Sequence, residues 1–211
     1  MDKNQLVTLI TEAVIKQLSD NLGSNKIPVA ISNRHVHLSK EDMNKLFGAN
    51  HPFKVFKNLS QPGQFAYEEK VTLVGPKGVL ENVRILGPAR PKTQVEISVS
   101  DGIKLGVNAP IRDSGELAQS ATLTLVGPLG STTLPESTII AARHIHMHPD
   151  DAVRFGVKDK ERINVKVPGT RGLIFNEMLV RVSNNYKLEM HIDIDEANAA
   201  YLKNNDSVEI I

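Results

Sequence analysis

The sequence repeats one short pattern, first as Arg34-His35-Val36-His37-Leu38 and again, about half the chain later, as Arg143-His144-Ile145-His146-Met147. Each copy follows a short apolar run and precedes an aspartate and then a Phe-Gly pair. A pattern that recurs in a recurring context indicates an internal duplication. The sequence therefore predicts two related domains.

Most of the chain between and after these copies consists of short β-rich runs that end at Gly-Pro turns. Val71–Val74 and Leu123–Val126 are examples. Many short strands with regular turns are typical of barrels and sandwiches. We therefore predict a mostly β fold of two related β-barrel domains capped by short helices. The helices are expected near residues 39–47, 149–155 and 195–203.

The predicted domain organisation begins with an amphipathic helix, whose apolar side chains recur at helical spacing. A short linker would follow, and each barrel would take about half of the rest. The duplication leaves open a strand exchange between the barrels. The expected boundaries are residues 1–20 for the helix, 21–26 for the linker, 27–120 for the first barrel and 121–211 for the second.

Composition excludes several classes of function. The chain of 211 residues has no cysteine, so disulfides, thiolate nucleophiles and cysteine metal sites are excluded. Its 25 Lys and Arg against 24 Asp and Glu, with aromatics at 4%, argue against nucleic-acid binding. Neither a membrane-spanning run nor a secretory signal is expected, which predicts a cytoplasmic protein.

The duplicated histidines indicate a metal site. Residues i and i+2 of a strand point to the same face, so each His-x-His pair can share one metal ion. The segments Gln94–Val99 and Glu189–Ile194 resemble each other and place Glu96 opposite His191 as third ligands. Zinc suits these ligands, although iron, manganese and cobalt also fit. The predicted sets are His35, His37 and Glu96, and His144, His146 and His191.

Two alternatives to this interpretation stay open. The spacing His35-x-His37-x3-Glu41-x6-Gly48 matches the core of the cupin metal motif, although Val29 stands where that motif has glycine. The histidines can also be structural, in a non-catalytic binding or scaffold protein.

Basic residues indicate an anion site. Arg90 lies in Gly87-Pro88-Ala89-Arg90-Pro91, which predicts a rigid turn that presents a fixed guanidinium to phosphate or carboxylate. Lys57 and Arg84 are candidates for the lining of the same anionic-ligand pocket. Gly75-Pro76-Lys77-Gly78 lacks the spacing of a P-loop, which argues against ATP.

The sequence resembles the PduL-type phosphotransacylases, or phosphate propanoyltransferases. The resemblance covers about residues 28–211, without departure at the motif positions. The matching segments are Ile31–Leu38, Leu86–Pro91, Gln94–Ser98, Ala142–Met147 and Met190–Asp193.

The resemblance implies an acyltransferase with two Zn²⁺ per chain. It would interconvert acyl-CoA (propanoyl-CoA or acetyl-CoA) and phosphate with acyl phosphate and CoA, by direct phosphate attack on a zinc-positioned thioester. His35, His37 and Glu96 would hold one zinc, and His144, His146 and His191 the other. The resemblance assigns Arg90 to phosphate, and it assigns to the CoA pocket Ser32, Lys57, Arg84, Leu86 and Asn198.

The resemblance also implies a location. Members with a detached N-terminal helix resemble enzymes of bacterial microcompartments, here those of propanediol degradation. Residues 1–20 would then contact shell or cargo proteins. A homodimer is expected only because dimers are the commonest assembly.

Overall fold

The computed structural model describes residues 2, 5–7, 10, 11 and 26–211. Over residues 26–211 it contains fourteen strands and four short helices. In chain order these are β1 Lys26–Ser32, β2 His35–Ser39, α1 Lys40–Phe47, β3 Val55–Asn58, β4 Phe65–Val74, β5 Val79–Arg90, β6 Gln94–Glu96, α2 Val99–Leu105, β7 Ile111–Arg112, β8 Ala121–Val126, β9 Ser131–Ala141, β10 His144–Met147, α3 Pro149–Phe155, β11 Arg162–Lys166, β12 Ile174–Val182, β13 Glu189–Asp193, α4 Ile194–Ala200 and β14 Ser207–Ile210.

The strands form two closed barrels of six strands each. The first runs β4-β5-β2-β6-β9-β8 and closes where β8 pairs with β4, with β3 and β7 as additions at β4 and β9. The second runs β1-β13-β10-β12-β11-β14 and closes where β14 pairs with β1. The predicted fold of two β-barrels with short helices is confirmed.

Each barrel contains a strand that precedes the histidine strand of the other half. β1 precedes β2 in the chain but pairs with β13 and β14 of the second barrel. β9 precedes β10 but pairs with β6 and β8 of the first barrel. β8 and β9 complete the first barrel and β1 belongs to the second, so the two halves exchange strands, as the duplication left open, and the barrels do not divide at residue 120. The apolar side chains agree, since Leu123 and Leu125 lie in the first core and Ile27 and Val29 in the second.

Strand alternation separates the cores from the histidines. In β2, Val36 and Leu38 pack into the first core, and in β10, Ile145 and Met147 pack into the second. Because neighbouring side chains in a strand point to opposite faces, the histidines of both strands face away from the cores. The same alternation that builds the barrels thus presents the polar side chains of the site.

The predicted helices near residues 39–47 and 149–155 are present as α1 and α3, and both begin at capping residues. Ser39 accepts from the backbone N–H of Asp42, and His148 caps α3. One helix, α2, was not predicted; it begins at Val99 after a capping box of Ser98 and Asp101. That box was the available signal for this helix.

Residues 5–7, 10 and 11 are helical, and the rest of the predicted N-terminal helix lies outside the described residues. The same is true of the predicted linker, except that Lys26 is the first residue of β1. Within the described parts of the chain, every helix is too short or too polar to cross a membrane.

Candidate active site

Strand register places the predicted third ligands beside the histidine pairs. In the first barrel β2 and β6 are antiparallel, and His35 lies directly opposite Glu96. In the second barrel β10 and β13 are antiparallel, and His144 lies directly opposite His191. Glu96 and His191 therefore occupy matching positions in the two halves.

The first set forms a compact cluster. The ligand atoms of His35, His37 and Glu96 all lie within 4.8 Å of one another. His35 Nε2 is 3.4 Å from Glu96 Oε2, and His37 Nε2 is 3.8 Å from Glu96 Oε1. His35 Nδ1 donates to the carbonyl of Asn33 at 2.8 Å, which leaves Nε2 as the atom that faces the cluster. Two imidazoles and a carboxylate fit a divalent metal ion.

The second set is more loosely gathered. The rings of His144, His146 and His191 have centroids 4.7 to 5.1 Å apart. His144 Nδ1 donates to the carbonyl of Ala142 at 2.8 Å, which repeats the anchoring of the first set. Among the described residues, His146 Nδ1 is buried without a hydrogen-bond partner, and His191 Nε2 is buried with the Glu189 carboxylate 2.8 Å away. Buried polar atoms are rarely left unpaired, so this donor set also fits a metal ion.

Burial and neighbouring charges set the protonation of the site. Burial, together with the Arg181 guanidinium, lowers the pKa of His144 to about 3. Burial and the adjacent His144 lower the pKa of His146 to about 2. Both imidazoles are therefore neutral near pH 7, which is the form that binds a metal.

In the first set, burial and the neighbouring charges shift the pKa values of His35 and Glu96 in opposite directions. Burial lowers the pKa of His35, but the carboxylate of Glu96 outweighs it and leaves that pKa above its ordinary value. Burial raises the pKa of Glu96, but His35 and His37 outweigh it and leave that pKa well below the ordinary value. The two groups thus favour the charged forms of each other, and a metal ion would take the place of the imidazolium charge beside Glu96.

Both histidine sets line one cavity of about 310 Å³ between the barrels. The guanidinium groups of Arg90 and Arg181 also line this cavity, and the other lining side chains come from both halves of the chain. The cavity is lined by Ser32, His35, His37, Leu59, Gln61, Gln64, Leu86, Arg90, Glu96, Ser114, His144, His146, Arg181, Tyr186 and His191.

Arg90 is the last residue of β5, so the predicted turn at Gly87–Pro91 is corrected to the end of a strand. Its Nη1 donates to Ser114 Oγ at 2.9 Å. Arg90 is half-buried and lines the cavity, and this burial lowers the pKa of its guanidinium.

Arg181 and Tyr186 belong to the site but were missed by sequence reasoning. Arg181 lies in β12 opposite His146, and its Nη2 is 3.2 Å from Asp113 Oδ1. Tyr186 stacks on His146 with ring centroids 4.2 Å apart. Asp113 and Ser114 are neighbours, so one loop contacts both arginines. Nothing in the sequence around Arg181 distinguishes it from a surface arginine.

A second cavity of about 590 Å³ adjoins the first. The two share Ser32, His35, Leu86 and His191 among their lining residues, so these side chains lie at the boundary of both cavities. Four of the five residues predicted for the CoA pocket line the larger cavity: Ser32, Lys57, Arg84 and Leu86.

The fifth of these residues, Asn198, is placed elsewhere. It is exposed on α4 and does not line the cavity, where Asn204 and Asn205 lie instead. Arg84 is held in place, since its Nη1 donates to the carbonyls of Tyr67 and Glu68.

The cupin alternative is not supported by the position of Glu41. This residue lies in α1 and forms an ion pair with Lys45 at 2.8 Å. Glu96, from a different strand, occupies the place beside the two histidines. The spacing that matched the cupin motif therefore reflects the start of a helix.

Sequence comparisons with known proteins identify the family. Residues 28–203 match the sequence model of the phosphate propanoyltransferase family. The chain is similar to the phosphate propanoyltransferase of Thermotoga maritima, with 53% identity over 88% of this chain and 89% of that protein. It is also similar to those of Priestia megaterium, with 50% identity over 98% and 95%, and Salmonella typhimurium, with 48% over 95% and 93%. The chain therefore belongs to the phosphate propanoyltransferase family and is an acyltransferase.

Proposed function

We propose that the chain interconverts a short-chain acyl-CoA (propanoyl-CoA or acetyl-CoA) and phosphate with acyl phosphate and CoA, and that it depends on zinc. The observation that supports this most is one space between the barrels that contains both histidine sets and two arginines. The larger cavity beside it, with Lys57 and Arg84, has the size and charge to receive the phosphorylated body of CoA.

The residues present fit two metal ions. His35, His37 and Glu96 would hold one, and His144, His146 and His191 the other. Zinc, when bound, polarises a carbonyl and lowers the pKa of a bound thiol.

The chain's own contribution begins with phosphate. Arg90, fixed by Ser114, and Arg181, fixed by Asp113, present two guanidinium groups to the cavity. Guanidinium groups bind phosphate oxygens in a fixed geometry, so they orient one oxygen toward the thioester carbonyl. Holding two bound reactants in the correct orientation removes a large part of the entropic contribution to the activation barrier.

The transfer step then needs no covalent acyl-enzyme. A phosphate oxygen forms a bond to the carbonyl carbon, the carbon–sulfur bond breaks, and the electron pair leaves with the CoA sulfur. The absence of cysteine removes the strongest side-chain nucleophile for the alternative route. Burial of the imidazoles limits water, which would hydrolyse the acyl group instead.

Release of the CoA thiol tests this proposal. We expect thiol release from propanoyl-CoA or acetyl-CoA to require phosphate and to stop when a chelator removes the metal. Added Zn²⁺ should restore it. The measurement is a colorimetric thiol assay, together with metal analysis of the purified protein.

Other outcomes identify the alternatives. Release of thiol without phosphate would indicate a hydrolase and contradict the transferase proposal. Bound metal without either activity would favour a different metalloenzyme, and a metal-free, inactive protein would favour a scaffold.

We also propose that residues 1–20 form a docking segment for encapsulation in a bacterial microcompartment. Leu6, Val7 and Ile10 are helical and exposed. Exposed apolar side chains on a helix can bind an apolar groove of another protein, which supports a docking role. A reporter fused to residues 1–20 should form foci in a microcompartment-forming cell, and Leu6→Ser with Ile10→Ser should disperse it. Diffuse signal from the unaltered fusion would contradict this role.

A further inference from the structure

Each histidine pair belongs to a square of four side chains on one sheet face. In the first square, register pairs His35 with Glu96 and His37 with Gln94. In the second, it pairs His144 with His191 and His146 with Glu189. Three members of each square are the proposed metal ligands, so Gln94 and Glu189 are the matching fourth members.

The fourth member of the first square holds a ligand in place. Gln94 Nε2 donates to Glu96 Oε1 at 2.6 Å. Gln94 is itself fixed, since its Oε1 accepts from the backbone N–H of Gly115 at 2.8 Å and its Nε2 also contacts Ser114 Oγ at 2.9 Å. Gln94 therefore orients the one carboxylate of the first metal set.

Glu189 occupies the same place in the second square. It is 9% exposed, and its Oε2 lies 2.8 Å from His191 Nε2. The two atoms are close but not aligned as a hydrogen bond, since His191 Nε2 has no such partner among the described residues. Glu189 and His191 both line the larger cavity, where a carboxylate oxygen and an imidazole nitrogen can both interact with a cation.

The first barrel fixes this carboxylate. Ser60 Oγ donates to Glu189 Oε2 at 2.5 Å, and Gln61 Nε2 donates to the same oxygen at 3.1 Å. Gln61 is 4% exposed and also exchanges hydrogen bonds with the backbone of Lys187. A loop of one barrel thus holds an acidic side chain against the metal set of the other.

The position of Glu189 matters because of the charges around the second metal set. The first set includes one carboxylate, whereas the second consists of three imidazoles in a cavity that also contains Arg90 and Arg181. A divalent cation buried beside two guanidinium groups needs a compensating negative charge. Glu189 is the carboxylate in contact with that set.

We propose that Glu189 is the anionic positioning residue of the second metal site. Its carboxylate, 2.8 Å from His191 Nε2, supplies the negative charge that the three histidines lack. Gln94 is a neutral side chain beside an anionic ligand, Glu96. Glu189 is the reverse case, an anionic side chain beside a neutral ligand, His191. This inference rests on the two-metal site of the proposed function.

The test is Glu189→Gln, which keeps the shape and removes the charge. Competition between the protein and a chromophoric chelator for Zn²⁺ should show a rise of about 10- to 100-fold in the dissociation constant of one of two ions. The other ion should bind as in the unaltered protein. The control is Glu81→Gln, an exposed carboxylate that lines neither cavity and should leave both constants unchanged.

Circular dichroism of the variant establishes that it folds, and Ser60→Ala provides a second test if it does not. Ser60→Ala removes one support of the carboxylate and should raise the same dissociation constant severalfold. Unchanged zinc binding in the folded Glu189→Gln protein would overturn this inference but not the two-metal proposal. If Glu189→Gln does not fold, unchanged zinc binding in Ser60→Ala would have the same meaning. Fewer than two zinc ions in the unaltered protein would overturn the two-metal proposal and this inference with it.

Discussion

Replacement of His144 by alanine is expected to lower turnover by about a thousandfold. The proposed role of His144 as a metal ligand is worth about 4 kcal/mol of transition-state stabilisation, which corresponds to that factor. The ring faces the cavity, whereas its neighbour Ile145 packs in the core. The variant should therefore fold and bind one metal ion fewer. Phosphate-dependent thiol release and metal content per chain measure the two effects.

His148 offers the matched control. It is a histidine of the same segment, but it caps α3 and does not line the cavity. His148→Ala should cost about 1 kcal/mol of stability through the lost cap and leave turnover unchanged. Normal turnover in His144→Ala would contradict the site assignment, and equal losses in both variants would indicate a structural role for the segment.

The grouping of the histidine pairs with Glu96 and His191 was predictable because it depends on local rules. Strand alternation places His35 and His37 on one face, and duplication relates them to His144 and His146. The third ligands followed from a second pair of similar strands, which the register then placed opposite the histidines. Spacing and repetition are both contained in the sequence.

The pairing of distant strands was not predictable in the same way. β1 pairs with β13, more than 150 residues away, and no local pattern specifies that partner. For this reason the barrels do not divide at residue 120. Alternation also indicates which face a residue occupies but not which neighbour it meets, so Arg181 and Glu189 became visible only through the register.

Replacement of Arg90 by alanine should lower kcat/KM for phosphate by about a hundredfold or more. The guanidinium is the proposed phosphate ligand in a partly buried cavity, where a charge-assisted hydrogen bond is stronger than in water. Arg181 still faces the cavity and would retain some phosphate binding. The kcat/KM of Arg90→Lys for phosphate should lie between the values of the unaltered protein and of Arg90→Ala, because an ammonium keeps the charge but loses the planar arrangement of donors.

Varying the two substrates separately gives the decisive measurement for Arg90. The loss should appear in the KM and kcat/KM for phosphate, whereas the KM for acyl-CoA should change little, because the larger cavity is lined by other basic residues. Arg162→Ala is the control, since Arg162 lies in β11 on the surface of the second barrel and lines neither cavity. A loss confined to acyl-CoA would instead assign Arg90 to the coenzyme, and the phosphate would then depend on Arg181.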